Sequence, residues 1–234
     1  QRQMCIRDRD GSGQYTAWNT ASLKNTSGMF MDYGGENHAL TTVDTTGWDT
    51  SKLEDTSYMF MECRGLTAVK GIESWNVSNL KTANNMFQDC QSLQTINVSD
   101  WNTASLENTS VMFSSCKALK NIDISKWDMS KVTRSEDASQ TMSEAMFAYC
   151  ESLTELTLPK SLTVVGNRFA AECPKLATIT FNHPAGTAVQ LGSDAFIVND
   201  NGKDEGATGY VKYTPVAPLG TKVVTSNDQV LGYD

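Results

Sequence analysis

Cysteine and histidine are the side chains of this sequence best suited to chemistry, but their spacing does not favour it. The 234 residues include 6 cysteines and 2 histidines. Zinc ligands usually come in pairs about two to four residues apart, whereas the closest two cysteines are Cys150 and Cys173. A catalytic triad needs a nucleophile beside a histidine and a third group that orients the ring. The sequence supplies neither for His38 or His183, so we expect surface-loop histidines, no catalytic residue, no metal site and no cofactor.

Two acidic stretches are weak candidates for calcium binding, and four asparagines are weak candidates for N-glycosylation. Residues 8–13 and 200–204 are similar to calcium-binding loops, but neither has the EF-hand spacing, so we expect plain acidic turns. Four Asn-x-Ser/Thr sequences match the N-glycosylation motif. They begin at Asn25, Asn76, Asn97 and Asn108. Because they recur with the repeat described below, glycosylation is not the expected explanation.

Composition and charge exclude several classes of protein. The formal net charge is −8 and the isoelectric point is about 4.8. Nucleic acids and anionic membranes select clustered Lys and Arg, so neither is an expected partner. No apolar stretch approaches the ~20 residues of a membrane span, so we expect no membrane insertion. The 5 Trp, 8 Phe and 7 Tyr are enough to build a folded core.

A repeated pattern accounts for most of the chain. Each Trp is followed by a Met-Phe pair, then by a Cys three positions after the Phe, and then by a Leu three positions after the Cys. The first repeat has Tyr33 in place of the Cys, and extra residues there place its Leu, Leu40, seven positions later. The tryptophans are Trp18, Trp48, Trp75, Trp101 and Trp127, and the Met-Phe pairs begin at Met29, Met59, Met86, Met112 and Met146. Self-similarity at a fixed period is typical of repeat proteins.

Two periodicities alternate within each repeat. After the Leu, apolar residues alternate with polar ones, as in residues 93–98, and this LxxLxL pattern predicts a half-buried strand. The Met-Phe half has apolar residues spaced as on one face of a helix. In the third repeat these are Leu80, Ala83, Met86, Phe87 and Cys90. The sequence therefore predicts an α/β solenoid of the leucine-rich-repeat type, with parallel strands on one face and short helices on the other.

The pattern also predicts the organisation of the chain. Residues 1–9, QRQMCIRDR, resemble translated adapter sequence, and we expect them to be a non-native artefact. Residues 10–152 hold five repeats of about 26–34 residues. Residues 153–198 contain two repeats of a second type without Trp, and residues 199–234 a loop with a C-terminal strand, a cap or the start of a further domain. We expect a fragment of a longer protein.

These motifs resemble those of the BspA-like leucine-rich-repeat surface proteins of bacteria. The similarity lies in the Trp-Asp/Asn start, the Met-Phe-x-x-Cys-x-x-Leu centre, the LxxLxL end and the later Leu-Pro-x-Ser-Leu run, and it covers about residues 14–198. It departs at Tyr33, in the insertion near residues 134–141 and after residue 198. The resemblance implies an extracellular or cell-surface location, adhesion to host or microbial macromolecules, and no catalytic residues.

The repeated Cys, Trp and Met-Phe residues are expected to be core. One small apolar Cys in each repeat predicts a buried, reduced row, since free Cys behaves as a small hydrophobe. One Trp in each repeat favours a buried corner over a sugar-stacking platform. Strands stacked about 4.8 Å apart would form one continuous parallel sheet.

A polar stripe on the strand face is the candidate ligand-binding surface. Side chains alternate along a strand, so the third and fifth positions of LxxLxL point outward. The candidate residues are Thr42, Asp44, Lys70, Thr95, Asn97, Asn121, Asp123, Glu155 and Thr157, and Ala68, Thr178 and Thr180 occupy equivalent outward positions. We expect the helical face to be less regular, because its loops vary in length.

Three functions are compatible with this pattern. The first is a non-enzymatic binding module that contacts an extracellular protein or glycan through the polar stripe. The second is a structural spacer that holds another domain away from the cell envelope. The third is a targeting arm of a larger surface protein or enzyme. The sequence does not identify the ligand.

Overall fold

Equivalent segments of successive repeats lie side by side and in parallel. The computed structural model describes residues 19–32, 40–133, 141–184 and 186–196, and the backbone of three strands beyond them. The first strands are β1 (Thr42–Asp44), β2 (Ala68–Lys70), β3 (Glu155–Leu158), β4 (Val164–Val165), β5 (Thr178–Phe181) and β6 (Ala188–Leu191). The last are β7 (Thr214–Val216), β8 (Lys222–Val224) and β9 (Val230–Gly232), and a short 3-10 helix spans Ile72–Ser74.

The predicted short helices are not observed, and no α-helix occurs among the described residues. Consecutive tight turns take their place. The Met59 N–H donates to the Thr56 carbonyl, and the Cys63 N–H donates to the Phe60 carbonyl. Each turn is closed by a hydrogen bond between residues three positions apart, so apolar side chains recur at nearly the spacing of a helix. The sequence pattern therefore does not distinguish these turns from a helix. We call these segments the turn face, comprising residues 56–63, 82–90, 108–116, 141–150 and 166–173.

Two residues with left-handed backbone make the turns of each repeat possible. Around Phe60 they are Tyr58, with φ 59°, and Glu62, with φ 62°. The same pair recurs as Asn85 and Asp89, Val111 and Ser115, Ala145 and Tyr149, and Arg168 and Glu172. Left-handed φ is disfavoured for residues with a Cβ and is a clear outlier for a β-branched one. The turn face therefore stores strain that the contacts between repeats must offset.

Backbone hydrogen bonds join every turn segment to the next. The Phe60 N–H donates to the Met86 carbonyl at 2.8 Å. Flanking bonds run from Tyr58 to Asn84 and from Glu62 to Gln88, and the central bond recurs from Phe87 to Met112, from Phe113 to Met146 and from Phe147 to Phe169. These central donors all point toward the later repeat. The turn face, which we expected to be the less regular side, carries a hydrogen-bonded ladder that recurs from repeat to repeat.

Two rows of stacked aromatic rings fill the core. Phe30, Phe60, Phe87, Phe113 and Phe147 form the Phe row, in which neighbouring ring centroids are 5.1–5.5 Å apart. Trp48, Trp75, Trp101 and Trp127 form the Trp row, with centroids 5.8–6.2 Å apart. Planes within each row are nearly parallel, a stacked arrangement that contributes beyond area burial. The repeats are therefore closer together at the Phe row than at the Trp row.

The stacking changes where the second repeat type begins. Phe147 and Phe169 meet edge to face, with ring planes at 71°. The Phe169 carbonyl accepts the Phe147 N–H, a role that Met146 plays one interface earlier. Phe169 therefore occupies the Met position of the turn, and Ala170 occupies the Phe position. This shift of one residue explains why the Phe row ends at Phe147.

The cysteines form a third buried row. Cys63, Cys90, Cys116, Cys150 and Cys173 are free and buried. Each thiol donates to the carbonyl of a Phe in the preceding repeat, as from Cys90 to Phe60 at 3.2 Å. Burial raises the pKa of the Cys63 thiol to about 12 and also raises the pKa of Cys90. The cysteines therefore act as small core residues that also satisfy a backbone acceptor.

The strand face is interrupted, whereas one continuous sheet was expected. Strands β1 and β2 pair in parallel, and β3, β5 and β7 form a second parallel sheet. Residues 95–98 and 121–124, which carry the same LxxLxL pattern between β2 and β3, form no strand. A third sheet has the order β4, β6, β8, β9, and its last pair is antiparallel. Residues 210–213, whose sequence Tyr-Val-Lys-Tyr predicts a further strand, lie outside the described residues.

Replacing Val111 with Asn is expected to stabilise the protein by about 1 kcal/mol, because Asn tolerates left-handed φ better than a β-branched residue. Asn85 holds the equivalent place one repeat earlier. The reciprocal change Asn85→Val should destabilise the protein. Denaturant unfolding of both variants measures the difference. A loss of stability in Val111→Asn would contradict a strained turn.

The buried thiols should resist a thiol reagent in the native protein and react once denaturant is added, because a buried thiol with a raised pKa supplies little thiolate. Mass spectrometry of labelled peptides reports each cysteine separately. Cys116→Asp should cost several kcal/mol, since it buries a charge with no partner, whereas Cys116→Ser should cost less. Rapid native labelling of Cys90 or Cys116 would contradict the buried row.

Candidate ligand-binding face

The nine candidate residues lie on the strand face, and all but one are exposed. Five are in strands, with Thr42 and Asp44 in β1, Lys70 in β2, and Glu155 and Thr157 in β3. Thr157 is half-buried. The remaining four, Thr95, Asn97, Asn121 and Asp123, are in the two unpaired segments. Buried apolar residues alternate with them, which is why the polar residues share one surface.

Three of these residues also shape the corners that follow the strand face. Asp123 Oδ1 accepts the Ser125 N–H at 2.9 Å and its hydroxyl at 2.7 Å. Asn97 accepts from Ser99, and Asp44 from the Thr46 N–H, in the same way. Such local bonds are typical of Asx turns. They lower the pKa of Asp123, through the Ser125 hydroxyl and N–H, so this carboxylate stays charged at neutral pH.

Two shallow depressions lie on the strand face, on either side of residues 121–123. One has a volume of about 300 Å³ and is bordered by Asn97 and Asn121. The other has a volume of about 510 Å³ and reaches Glu155 and Asn182. Together they gather six of the nine candidates, namely Thr95, Asn97, Asn121, Asp123, Glu155 and Thr157. Thr42, Asp44 and Lys70 line neither depression, and Asn182, Ser99 and Ser125 were not predicted.

We call the gap between residues 95–98 and 121–124, together with the two depressions, the opening. Unpaired backbone forms its walls. No hydrogen bond to another described residue is donated by the N–H groups of residues 95–98 or 121–124. The opening is closed at both ends, by the Lys120 N–H on the Gln94 carbonyl at 3.1 Å and by Trp127 Nε1 on the Val98 carbonyl at 2.9 Å. The Trp101 and Trp127 rings stack beside the opening with centroids 5.8 Å apart. Between the two ends, the backbone N–H groups have no hydrogen-bond partner among the described residues.

The residues that line the opening carry negative charge and no cation. Asp123 and Glu155 are its acidic residues, and no Lys, Arg or His is among the described residues that line it. Lys126 lies just beyond it, where its ammonium pairs with Asp100 at 2.9 Å and its charge also helps to lower the pKa of Asp123. A cationic group would therefore meet two carboxylates here.

His183, the histidine that the structure describes, bonds to a backbone carbonyl and to no nucleophilic side chain. His183 follows β5 and is buried, so the expectation of a surface loop was wrong for this residue. Its Nε2 lies 2.8 Å from the Leu162 carbonyl, and its Nδ1 has no partner among the described residues. His38, Cys5, Tyr33 and the acidic stretches at residues 8–13 and 200–204 lie outside the described residues. Where the chain is described, no group of His, Cys, Asp or Glu converges as a metal site would need.

The N-glycosylation motifs have a structural explanation. The side chains of Asn25, Asn76, Asn97 and Asn108 all accept the backbone N–H two residues later. Asp49, Asp55 and Asp128 make the same bond in other repeats. Since Asp serves equally well and cannot carry an N-linked sugar, the turn alone accounts for the motif.

These features define a stacked-repeat protein with aromatic, cysteine and backbone ladders and an open polar face. A family model described as "Mycoplasma protein of unknown function, DUF285" matches residues 31–153, just over half of the chain, and the chain belongs to this family. The match is compatible with the BspA-like resemblance without being specific to it. No curated protein and no solved structure matches the chain. In the described part, no helix has the length and apolar character to span a membrane.

The buried His183 makes stability depend on pH. Burial lowers its pKa below the ordinary value of 6.5. The unfolded chain therefore binds a proton that the folded chain excludes, and stability should fall as the pH drops below about 6.5. His183→Gln should remove this component, because Gln does not titrate. Urea unfolding of both proteins at about pH 7.5 and pH 5.5 tests this, and an equal loss in both would contradict it.

Proposed function

We propose that this chain is a non-enzymatic binding module, a solenoid of the leucine-rich-repeat type whose strand face contacts an extracellular macromolecule. Parallel strand pairing and the recurring ladder between repeats support the solenoid. Tight turns replace the short helices of the α/β expectation in the described part of the chain. A stack of this kind presents a broad, pre-formed surface, which suits a protein or glycan better than a small substrate.

The opening beside residues 121–123 is the observation that carries the proposal. Strands pair on either side of this site, as β1 with β2 and β3 with β5, whereas residues 95–98 and 121–124 donate no backbone hydrogen bond to another described residue. Burying a backbone N–H or C=O group without a partner costs free energy, so unpaired groups persist where solvent or a ligand satisfies them. The shape is shallow and wide, without the enclosed pocket typical of enzymes that bind small molecules.

The location follows from the BspA-like resemblance. We propose a bacterial cell surface or extracellular setting, and adhesion to host or microbial macromolecules as the biological role. The family match supports a repeat protein of this general kind. The acidic composition also favours a protein or glycan partner over nucleic acid.

A structural spacer is the second candidate. The Phe, Trp and Cys rows and the turn-face ladder explain most of the patterned residues without any ligand. A spacer, or a targeting arm of a larger surface protein or enzyme, would need only the stack. This alternative requires that the polar stripe has no effect on binding.

Changing Asn97, Asn121 and Asp123 together to Lys should abolish binding to an extracellular-matrix or glycan panel, because it reverses the charge of the opening and fills it. The matched control changes Asn76, Asn102 and Glu107 to Lys. These residues are also exposed, and two of them also form Asx turns. Thermal unfolding of both variants shows whether the fold survives.

Loss of binding only in the first variant would support the module. If only the control loses binding, the proposed face is wrong. If native protein binds nothing on the panel, the spacer is the better proposal.

A further inference from the structure

We propose that residues 25–32, the turn segment of the first repeat, form a docking edge for one further Met-Phe repeat, which a longer form of the chain carries ahead of it. We call these residues the docking edge. It lies at one end of the stack and not on the strand face, so the inference goes beyond the proposed function. Three observations carry it, namely a row of unused backbone acceptors, incompletely covered apolar side chains and a buried carboxylate oxygen without a partner.

The backbone carbonyls of the docking edge are unused acceptors. At each of the next three interfaces, four carbonyls of the later repeat accept N–H groups of the earlier one at 2.8–3.0 Å. In the second repeat these acceptors are Asp55, Ser57, Met59 and Met61. Their equivalents in the first repeat are Asn25, Ser27, Met29 and Met31. None of these four carbonyls accepts a hydrogen bond from the described residues.

The direction of the ladder limits what can pair with the docking edge. The N–H groups of residues 26–32 are already used, either by the second repeat or by local bonds, so the edge offers acceptors and needs donors. A Met-Phe turn segment donates four N–H groups toward the later repeat. In the third repeat these donors are Ala83, Asn85, Phe87 and Asp89. The docking edge therefore fits an earlier repeat of the same type.

The same direction argues against a symmetric dimer through this end of the stack. A two-fold interface brings the same surface of both copies together. Two docking edges would then place carbonyl against carbonyl, and no backbone hydrogen bond would form between them.

Apolar side chains of the first repeat are less covered than their equivalents. The partly buried residues are Leu23, Met29 and Phe30, and their fully buried equivalents in the second repeat are Leu53, Met59 and Phe60. Phe60 stacks between two rings, Phe30 and Phe87, whereas Phe30 has Phe60 as its one Phe partner among the described residues. A terminal repeat of a solenoid normally has a polar outer side. The first repeat instead has the side chains of an internal repeat.

Asp32 lies at the end of the docking edge and has a buried carboxylate oxygen. This oxygen, Oδ2, has no hydrogen-bond partner among the described residues. Asp89 holds the equivalent position two repeats later, where Arg64 Nε of the preceding repeat donates to it at 2.7 Å. Arg64 directly follows the Cys of its repeat, as Lys117 does in the fourth repeat. An earlier repeat with a basic residue after its Cys would bring a donor to Asp32 in the same way.

The sequence allows a further repeat to be joined without a new junction. Residues 18–22 and 101–105 are both Trp-Asn-Thr-Ala-Ser. A copy of residues 75–105 can therefore replace residues 1–22 and place a complete turn segment ahead of Leu23. The matched control carries Phe87→Asp in the copy alone, which puts a charge where the ring would pack.

The experiment measures oxidation of each methionine by hydrogen peroxide, with tandem mass spectrometry as the readout. In the full native chain, Met29 should oxidise at least about tenfold faster than Met59, which is buried. In the extended chain, Met29 should oxidise about tenfold more slowly than in the native chain, because the added repeat covers it. The urea midpoint should also rise by about 0.5 M. The Phe87→Asp extension should leave both values near those of the native chain.

Each outcome supports or contradicts the docking edge. Slow oxidation of Met29 in the native chain would show that the edge is already covered, and the inference would be wrong. The same conclusion follows if the extended chain does not fold, if it leaves Met29 as reactive as before, or if the Phe87→Asp extension protects Met29 equally well. Self-association of the native chain that the extension abolishes would identify a second copy as the occupant and overturn the proposal of an earlier repeat.

Discussion

The structure depends on the hydrogen-bonded ladder that joins one turn segment to the next. A single repeat has strained left-handed residues, a Phe and a Trp with nothing to cover them, and backbone donors that point away from its own chain. The following repeat covers the rings and accepts the hydrogen bonds of these donors, and the free energy of these contacts offsets the strain. The bond from Phe60 to Met86 and its equivalents fix the register, and the Phe row then stacks at 5.1–5.5 Å. Stability of this stack therefore belongs to the interfaces between repeats.

The two sides of the stack are joined differently. The turn ladder holds neighbouring segments at hydrogen-bonding distance. On the strand face, β1 pairs with β2 beside the Trp48–Trp75 stack at 6.2 Å, whereas residues 95–98 and 121–124 are unpaired beside the closer Trp101–Trp127 stack at 5.8 Å. The spacing of the indole rings therefore does not decide where strands pair, and the candidate binding face is a local interruption of the sheet.

Much of the core was predictable from the sequence, and the local backbone was not. One Trp, one Phe and one Cys per repeat predicted buried rows, because an apolar residue at a fixed register must meet its equivalents in neighbouring repeats. The prediction of short helices was wrong because turns closed between residues three positions apart repeat apolar side chains at nearly the helical spacing. The break in the sheet has no sequence signal, since Asn121–Ile124 and Glu155–Leu158 alternate in the same way. His183, flanked by Asn182 and Pro184, has the composition of a surface turn although its ring is buried.

A stack joined unequally on its two faces bends more easily in one direction than in another. The turn ladder resists stretching because extension breaks several backbone hydrogen bonds at each interface, whereas fewer bonds cross the strand face between residues 95–98 and 121–124. Bending should therefore occur at this interface, with the turn face as the hinge line. A small change in angle there would alter the direction in which the far end of the chain points.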